Sequence, residues 1–258
     1  MSLLKKLAGE TALYGLSSIV GRLLNYLLVP LYTRTLAPGE YGVVSELYAY
    51  VGFLMVFFSY RMESAFFRFG THEADRERAY ATGLLSLLAS TTVFVAAILL
   101  FSEPIAAALE YKGHAEYIRW FGLVLAFDCL AELPFARLRL EQRPVRFVSA
   151  KLFNIGLTIG LNVFWLVFCP WAARNGHEWV RAVWSPNLGV AYIFLANALA
   201  SGATLLLLLP ELLAAFRARF DRDLWQKMLR YAGPLVIVSF AGIVNEMLDR
   251  AILTRLLP

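Results

Sequence analysis

The sequence is poor in charge and lacks the residue patterns of a soluble enzyme. Only 17% of its 258 residues are charged, 59% are hydrophobic, and the mean hydropathy is +0.61. A soluble domain of this length needs more polar surface than that. The sequence contains no zinc motif, phosphate-binding glycine loop, dinucleotide fingerprint or nucleophile elbow. We therefore predict an all-α polytopic membrane protein that is not an enzyme and carries no cofactor.

Cysteine and histidine are scarce as well. The two cysteines, Cys129 and Cys169, lie in or at the end of apolar segments, and the three histidines fall in connecting segments. Neither cysteine has a nearby partner, and no group of these residues has the spacing of metal ligands. The sequence thus predicts no metal site.

Long apolar segments, in contrast, fill most of the chain. A helix needs about 20 mostly apolar residues to cross a bilayer. The first segment begins like a signal peptide, but we expect it to be retained because its apolar part is long and contains Arg22. The predicted spans cover residues 11–33, 42–61, 79–101, 118–138, 147–169, 188–209 and 231–254.

Basic residues are distributed unevenly between the two ends of these spans. With a cytoplasmic N-terminus, the outer side holds Arg34, Lys112, Arg119, Arg174 and Arg181. The inner side holds Lys5, Lys6, Arg68, Arg76, Arg78, Arg137, Arg139, Arg143, Arg146, Lys151, Arg217, Arg219, Arg222, Lys227 and Arg230. This asymmetry predicts that the N-terminus is inside. It also accounts for the net charge of +5 without a nucleic-acid partner.

Residues 210–230 are predicted to link two units. Apolar residues recur there at helical spacing, with arginines elsewhere on the helix: Leu212, Leu213, Phe216, Phe220 and Leu224. The pattern predicts an amphipathic helix on the inner membrane surface, with a solvated linker helix as the alternative. The units are then a six-helix transmembrane lobe at 1–209 and, at 231–258, the first helix of a second lobe.

A weak internal repeat supports the second lobe. The segments "GRLLNYLLVPLYTRTLAP" and "AGIVNEMLDRAILTRLLP" align Asn25 with Asn245 and Pro38 with Pro258. Six spans separate the two copies, so both would cross the membrane in the same direction. Parallel repeats of this kind occur in transporters whose substrate site lies between the halves.

Several charged residues fall inside the predicted spans. Arg22 and Asp128 lie near the middle of their spans, where a charge costs about 2.5–3.5 kcal/mol. They are predicted either to pair with each other or to line a hydrated cavity. Arg61 and Arg68 are seven residues apart and are expected on one helix face, with Glu63 pointing away. Arg68 is expected to reach the headgroups, whereas for Arg61 an interfacial and a cavity role both stand.

The seventh span carries a polar stripe. Glu246 and Arg250 form a pair of opposite charge four residues apart, and Asn245 and Asp249 share a neighbouring face. A helix with this stripe is expected to face other helices or a water-filled space.

The sequence resembles the oligosaccharide or polysaccharide flippases of the Wzx type. These belong to the MOP superfamily, together with the MATE exporters and the lipid II flippases. The resemblance rests on "VPLYTRTLAPGEYG", "MESAFFRF", "ARLRLEQRPVRFVSAKLFN" and "LDRAILTRLLP", taken in order. It implies two six-helix lobes around a central cavity, in the inner membrane of a bacterium. Because the chain has about half the usual length, it is expected to hold one lobe and the first helix of the next.

The resemblance also implies a function. Family members move polyprenyl-pyrophosphate-linked sugars from the inner to the outer leaflet for cell-surface polysaccharide synthesis. Partners would be the bilayer, the lipid-linked glycan and polysaccharide assembly proteins. Arginine suits pyrophosphate because its planar fork donates several hydrogen bonds. The predicted substrate-cavity residues are Arg22, Asn25, Arg61, Glu63 and Arg250, and the candidate ion-pair or coupling-ion residues are Asp128, Glu132 and Asp249.

Two other functions remain open at this point. A MATE-type exporter of cationic drugs, coupled to protons or sodium, needs accessible carboxylates, which Asp128, Glu132 and Asp249 would supply. The mid-span Arg22 argues against it, because it would repel a cation. The second is a scaffold or half-transporter without transport activity of its own, for which the short chain speaks.

Overall fold

The computed structural model describes residues 26–256 apart from residue 112, and side chains up to residue 244 apart from residue 187. The described residues form helices and contain no strand, so the predicted all-α fold is confirmed for this part of the chain. The helices are α1 Leu28–Thr35, α2 Pro38–Ser59, α3 Met62–Phe69, α4 Glu73–Leu100, α5 Ser102–Ala108, α6 Ala115–Leu140, α7 Pro144–Val163, α8 Cys169–Arg174, α9 Ala191–Leu207, α10 Leu209–Ala214 and α11 Arg222–Leu256. A π-helical segment, Phe164–Phe168, joins α7 to α8.

Four helical segments of the described chain are long and apolar enough to cross a membrane. They are Pro38–Ser59, Glu73–Leu100, Pro144–Arg174 and Arg222–Val244. A fifth crossing is counted if α9 and the segment Leu209–Arg217 form one span, bent by 55°. The helix α6 is 26 residues long but carries charges along its length, so it does not belong to this apolar set. The predicted total of seven spans and the lobe architecture therefore stay predictions.

The central element of the bundle is α6, which packs against α4, α9 and α2. Its inner face repeats every four residues through Phe121, Leu125, Cys129 and Leu133, all at most 5% exposed. In lipid, dispersion contacts and close approach hold such helices together, because the tails are as apolar as the side chains. Gly122 permits the approach to α4, since a Cβ there would lie 2.7 Å from Ile98 Cγ2.

The predicted second span is interrupted before its end. Tyr60 and Arg61 both adopt left-handed backbone conformations, with φ of 33° and 57°. As a result α2 ends at Ser59 and α3 begins at Met62. The prediction that Arg61 and Arg68 share one helix face is therefore wrong, because a helix cannot continue through two left-handed residues. The Tyr60 hydroxyl is hydrogen-bonded to the Ser86 hydroxyl at 2.6 Å, which holds the turn against α4.

Residues 210–230 do not form one continuous helix. After α10 and a 3₁₀ turn at Ala215–Arg217, the chain leaves helical geometry and α11 begins at Arg222. Asp221 caps α11, because its carboxylate accepts the Leu224 backbone N–H at 3.0 Å. This hydrogen bond, together with the contact to Arg78, lowers the pKa of Asp221. The predicted single linker helix is thus divided by a cap, while the proposed unit boundaries stay predictions.

Candidate functional site: a charged pocket among apolar helices

A pocket of about 450 Å³ lies where α2, α3, α6, α7 and α9 meet. Its ionisable lining residues are Glu63, Asp128, Glu132, Arg139 and Lys151, with Asn154, Ser201 and Thr204 as neutral polar partners. This volume lies within the range of about 300–1,000 Å³ that is usual for small-molecule sites. By the predicted orientation, the pocket lies in the inner half of the membrane.

Helical spacing explains how the polar residues converge. Residues three or four positions apart lie on the same face of a helix. Three helices each contribute such a pair: Asp128 and Glu132 from α6, Lys151 and Asn154 from α7, and Ser201 and Thr204 from α9. All three pairs line the same pocket, so the three helices direct these polar side chains at one shared space.

Asp128 lies exposed on the wall of this pocket. The Ser201 hydroxyl donates a hydrogen bond to Asp128 Oδ1 at 2.7 Å. Lys151 attracts the carboxylate from the neighbouring helix. Arg22, the predicted partner of Asp128, lies outside the described residues, so that pairing stays a prediction.

Glu132 lies one helical turn from Asp128 and joins the pocket to the break between α2 and α3. Its carboxylate interacts with the side chain of the buried Ser59, the last residue of α2. Glu63 repels it and Arg61 attracts it. Glu132 therefore links the pocket to Arg61 by charge.

Arg139 pairs with Glu63 across the pocket. Its guanidinium also lies over two aromatic rings, 5.0 Å from the centroid of Phe67 and 5.8 Å from that of Phe147. Its Nε is buried without a hydrogen-bond partner among the described residues. A buried N–H without an acceptor is costly, so this donor favours a ligand acceptor in the pocket.

Lys151 supplies the second cation. Its Nζ lies 4.2 Å from the centroid of the Phe135 ring, a cation–π contact that holds the ammonium at the pocket wall. It is also attracted by the carboxylates of Asp128, Glu63 and Glu132. An ammonium carries three donors, so Lys151 retains capacity for a ligand.

Arg61 lies beside the pocket, where α2, α3 and α11 meet. Its side chain is exposed, and its Nε donates to Ser239 Oγ on α11 at 2.5 Å. Phe57 packs on Phe240 at the same junction, with ring centroids 4.7 Å apart. Arg68 also contacts α11, with its guanidinium 5.1 Å from the Tyr231 ring centroid.

A network of ion pairs ties the helix ends together next to the pocket. Arg137 is 9% exposed and pairs with Glu77 on α4 and, at 2.6 Å, with Glu141. Arg146 Nε contacts the buried Glu211 of α10 at 2.9 Å. Several basic residues that the sequence assigned only to membrane orientation therefore hold α4, α6, α7 and α10 in place.

The structure brings together part of the predicted site. Glu63, Asp128 and Glu132 line one pocket, and Arg61 is adjacent to it. Arg22 and Asn25 lie outside the described residues, and Asp249 and Arg250 lie in the part of α11 whose side chains are not described; their roles stay predictions. Arg139 and Lys151 were missed as pocket residues because they were counted as inner basic residues. The available signal was the spacing of Lys151 and Asn154 within an otherwise apolar span.

Comparison with known proteins gives one family match. The family model described as polysaccharide biosynthesis protein matches residues 7–130. That family covers Wzx-like flippases and related proteins, which are generally transporters rather than enzymes. No curated protein and no solved structure matches the chain. Over residues 7–130, which include Arg61, Glu63 and Asp128, the chain is similar to polysaccharide biosynthesis proteins.

Proposed function

We propose that this protein takes part in moving a polyprenyl-pyrophosphate-linked oligosaccharide from the inner to the outer leaflet of the bacterial inner membrane. The observation that carries the proposal is the pocket of ionisable residues among apolar helices, beside the exposed Arg61. Each charge held at membrane depth costs about 2.5–3.5 kcal/mol on insertion scales. Such a cost is typical of residues that serve a ligand or ion pathway.

Arg61 is the proposed pyrophosphate ligand. Its Nε is held by Ser239, while its terminal nitrogens donate to no residue that the structure describes. Two parallel donors suit a phosphate oxygen pair. Arg22, Asn25 and Arg250 are proposed to line the same cavity. Glu63 pairs with Arg139 and not with Arg61, so its proposed role is to hold the Arg139 guanidinium in the pocket.

The pocket is proposed to couple transport to a cation. Asp128 and Glu132 lie one turn apart, and protonation or sodium binding at either would change the pocket's charge. Glu132 is electrostatically linked to both Glu63 and Arg61. A change at Glu132 would thus alter the attraction that positions Arg61. Asp249 remains the third proposed coupling residue.

A MATE-type cation exporter is the second candidate, favoured by the three pocket carboxylates. Arg139, Lys151 and Arg61 argue against it, because together they would repel a cationic drug. A scaffold or half-transporter is the third candidate. It predicts that pocket substitutions leave transport unaffected.

The test is leaflet accessibility of lipid-linked oligosaccharide in cells that lack the protein. Wild type should restore outer-leaflet oligosaccharide, whereas Arg61→Gln and Asp128→Asn should not. Arg119→Gln is the matched control, because Arg119 is exposed and pairs with Glu103 far from the pocket. Unchanged leaflet distribution with lost drug efflux would favour the exporter. Unchanged values in both assays for all variants would favour the scaffold.

A further inference from the structure

A second cavity shares no lining residue with the charged pocket. It is a groove of about 540 Å³ between α4 and the start of α11. Its lining residues are Tyr60, Leu85, Ser86, Ala89, Ser90, Phe220, Trp225 and Leu229. We call it the α4–α11 groove.

The polar groups of the α4–α11 groove are satisfied within the protein. The Ser86 hydroxyl accepts the Trp225 indole N–H at 2.7 Å and is hydrogen-bonded to the Tyr60 hydroxyl at 2.6 Å. The Ser90 hydroxyl donates to the Leu87 carbonyl at 3.1 Å. What remains open to an occupant is aliphatic and aromatic surface. Such a groove favours an apolar chain over a polar ligand or water.

The segment that leads into α11 beside the groove is rich in basic and aromatic residues. Arg217, Arg219 and Arg222 are exposed and form no ion pair with any residue in the described part of the chain. Arg219 directly precedes Phe220, which lines the groove and is 44% exposed, and Arg222 follows Phe220 by two residues. Arg222 precedes Trp225 by three residues and Leu229 by seven, so it lies on the same face of α11.

The same segment continues as an exposed apolar surface. Leu213 is 55% exposed and Phe216 is 65% exposed. Exposed aromatics next to unpaired arginines are typical of a segment at the membrane–water boundary. Trp225 lies one turn from the start of the apolar stretch Arg222–Val244, a position at which tryptophan commonly marks that boundary.

We propose that the α4–α11 groove binds one anionic phospholipid. An acyl chain occupies the groove against Trp225 and Ala89, and the phosphate lies at Arg219 and Arg222. Charge complementarity decides the class of lipid, because each arginine near the surface favours an anionic headgroup. The groove accounts for binding of a lipid and not of a soluble anion, because a phospholipid carries an apolar chain next to its phosphate. The site is separate from the proposed function and does not depend on it.

The test is native mass spectrometry of the purified full chain with phosphatidylglycerol and phosphatidylcholine of identical acyl chains. Wild type should retain one phosphatidylglycerol in preference to phosphatidylcholine. The double variant Arg219→Gln, Arg222→Gln should weaken phosphatidylglycerol binding about 30-fold and abolish the preference. The matched control is Arg174→Gln, Arg181→Gln, which removes two exposed arginines elsewhere and should leave the preference intact.

Filling the groove tests the acyl-chain half of the proposal. Ala89→Phe should displace both lipids, whereas Ala107→Phe, at an exposed alanine on α5 away from the groove, should not. Brominated phosphatidylglycerol should quench tryptophan fluorescence in wild type and less in Trp225→Phe. Soluble glycerophosphoglycerol, which lacks the chains, should not compete.

Three outcomes would overturn the proposal. Equal retention of the two lipids by wild type would show that the site does not select an anionic headgroup. Competition by soluble glycerophosphoglycerol would show that the acyl chain, and therefore the groove, does not contribute to binding. Loss of stability in Ala89→Phe, with no lipid retained by wild type, would show that the groove serves internal packing and binds no lipid.

Discussion

Replacing Arg61 by lysine separates charge from geometry at the proposed pyrophosphate site. Arg61 uses Nε to bond Ser239 at 2.5 Å and keeps its terminal nitrogens for a ligand. Lysine keeps the charge but has a single donor atom, so it cannot serve both partners. Loss of one charge-assisted hydrogen bond costs about 1.5–3 kcal/mol, or about 10- to 150-fold in substrate affinity. Transport by Arg61→Lys should fall accordingly while expression stays normal.

Two matched variants isolate the reason for the loss. Arg68→Lys should be nearly silent, because an ammonium can replace the guanidinium over the Tyr231 ring and at the headgroups. Ser239→Ala leaves the guanidinium intact but removes its anchor. We expect a loss of about 0.5–1.5 kcal/mol, or about 2- to 10-fold, between those of the other two variants.

The assay is complementation of polysaccharide export, with leaflet accessibility of the lipid-linked oligosaccharide at matched expression. The expected order of activity is Arg68→Lys, then Ser239→Ala, then Arg61→Lys. Equal tolerance of lysine at Arg61 and Arg68 would refute the fork argument. Arg61 would then be an interfacial anchor, and phosphate binding would pass to Arg22 or Arg250 or be abandoned.

Three further predictions concern stability and topology. Gly122→Ala should lower the free energy of unfolding by about 1–3 kcal/mol through overpacking against α4. The control Gly52→Ala should not, because a Cβ there meets no described atom within 4 Å. Thermal unfolding in detergent compares the two variants, and equal losses of stability would contradict the packing argument. Asp221→Ala should lower the thermal midpoint at pH 7. Because the folded pKa of Asp221 is lowered, the difference in midpoint from wild type should shrink as the pH falls below the ordinary value of 3.8 and the carboxylate is protonated. A difference that is the same at pH 7 and at low pH would show that the carboxylate charge does not stabilise the fold. Single cysteines at His72 and Asn175, in a cysteine-free background, should label from opposite sides of the membrane, and labelling from one side would reject the predicted orientation.

The two cavities differ in the polarity of their lining residues. The charged pocket holds Glu63, Asp128 and Glu132 with two cations, so its net charge is nearly balanced. The α4–α11 groove is mostly apolar inside, and the exposed Arg219 and Arg222 lie in the segment beside it. Tyr60 and Arg61 lie between them, since Tyr60 lines the groove and Arg61 attracts Glu132. The break between α2 and α3 is therefore the part of the fold that touches both sites.

The sequence alone predicted the membrane class, the helical fold and the charged residues within apolar helices. These follow from local properties, because an apolar run of sufficient length must be helical in lipid and a charge inside it is costly. Asp128, Glu132 and Glu63 could be singled out for that reason. Their common location could not, since it depends on how the two separate helices that carry them, α3 and α6, are rotated about their axes.

Only the tertiary structure decided which charges meet. Arg139 lies at the predicted inner end of its helix, and nothing local distinguishes a headgroup contact there from its pairing with Glu63. The break at Tyr60 and Arg61 was likewise hidden, because neither residue is glycine and the left-handed turn is held by the contact to Ser86 on another helix. Hydrophobic periodicity, and the free-energy cost of a charge in an apolar segment, can be derived from the local sequence. Ion-pair partners and left-handed turns depend on packing between helices that are distant in sequence.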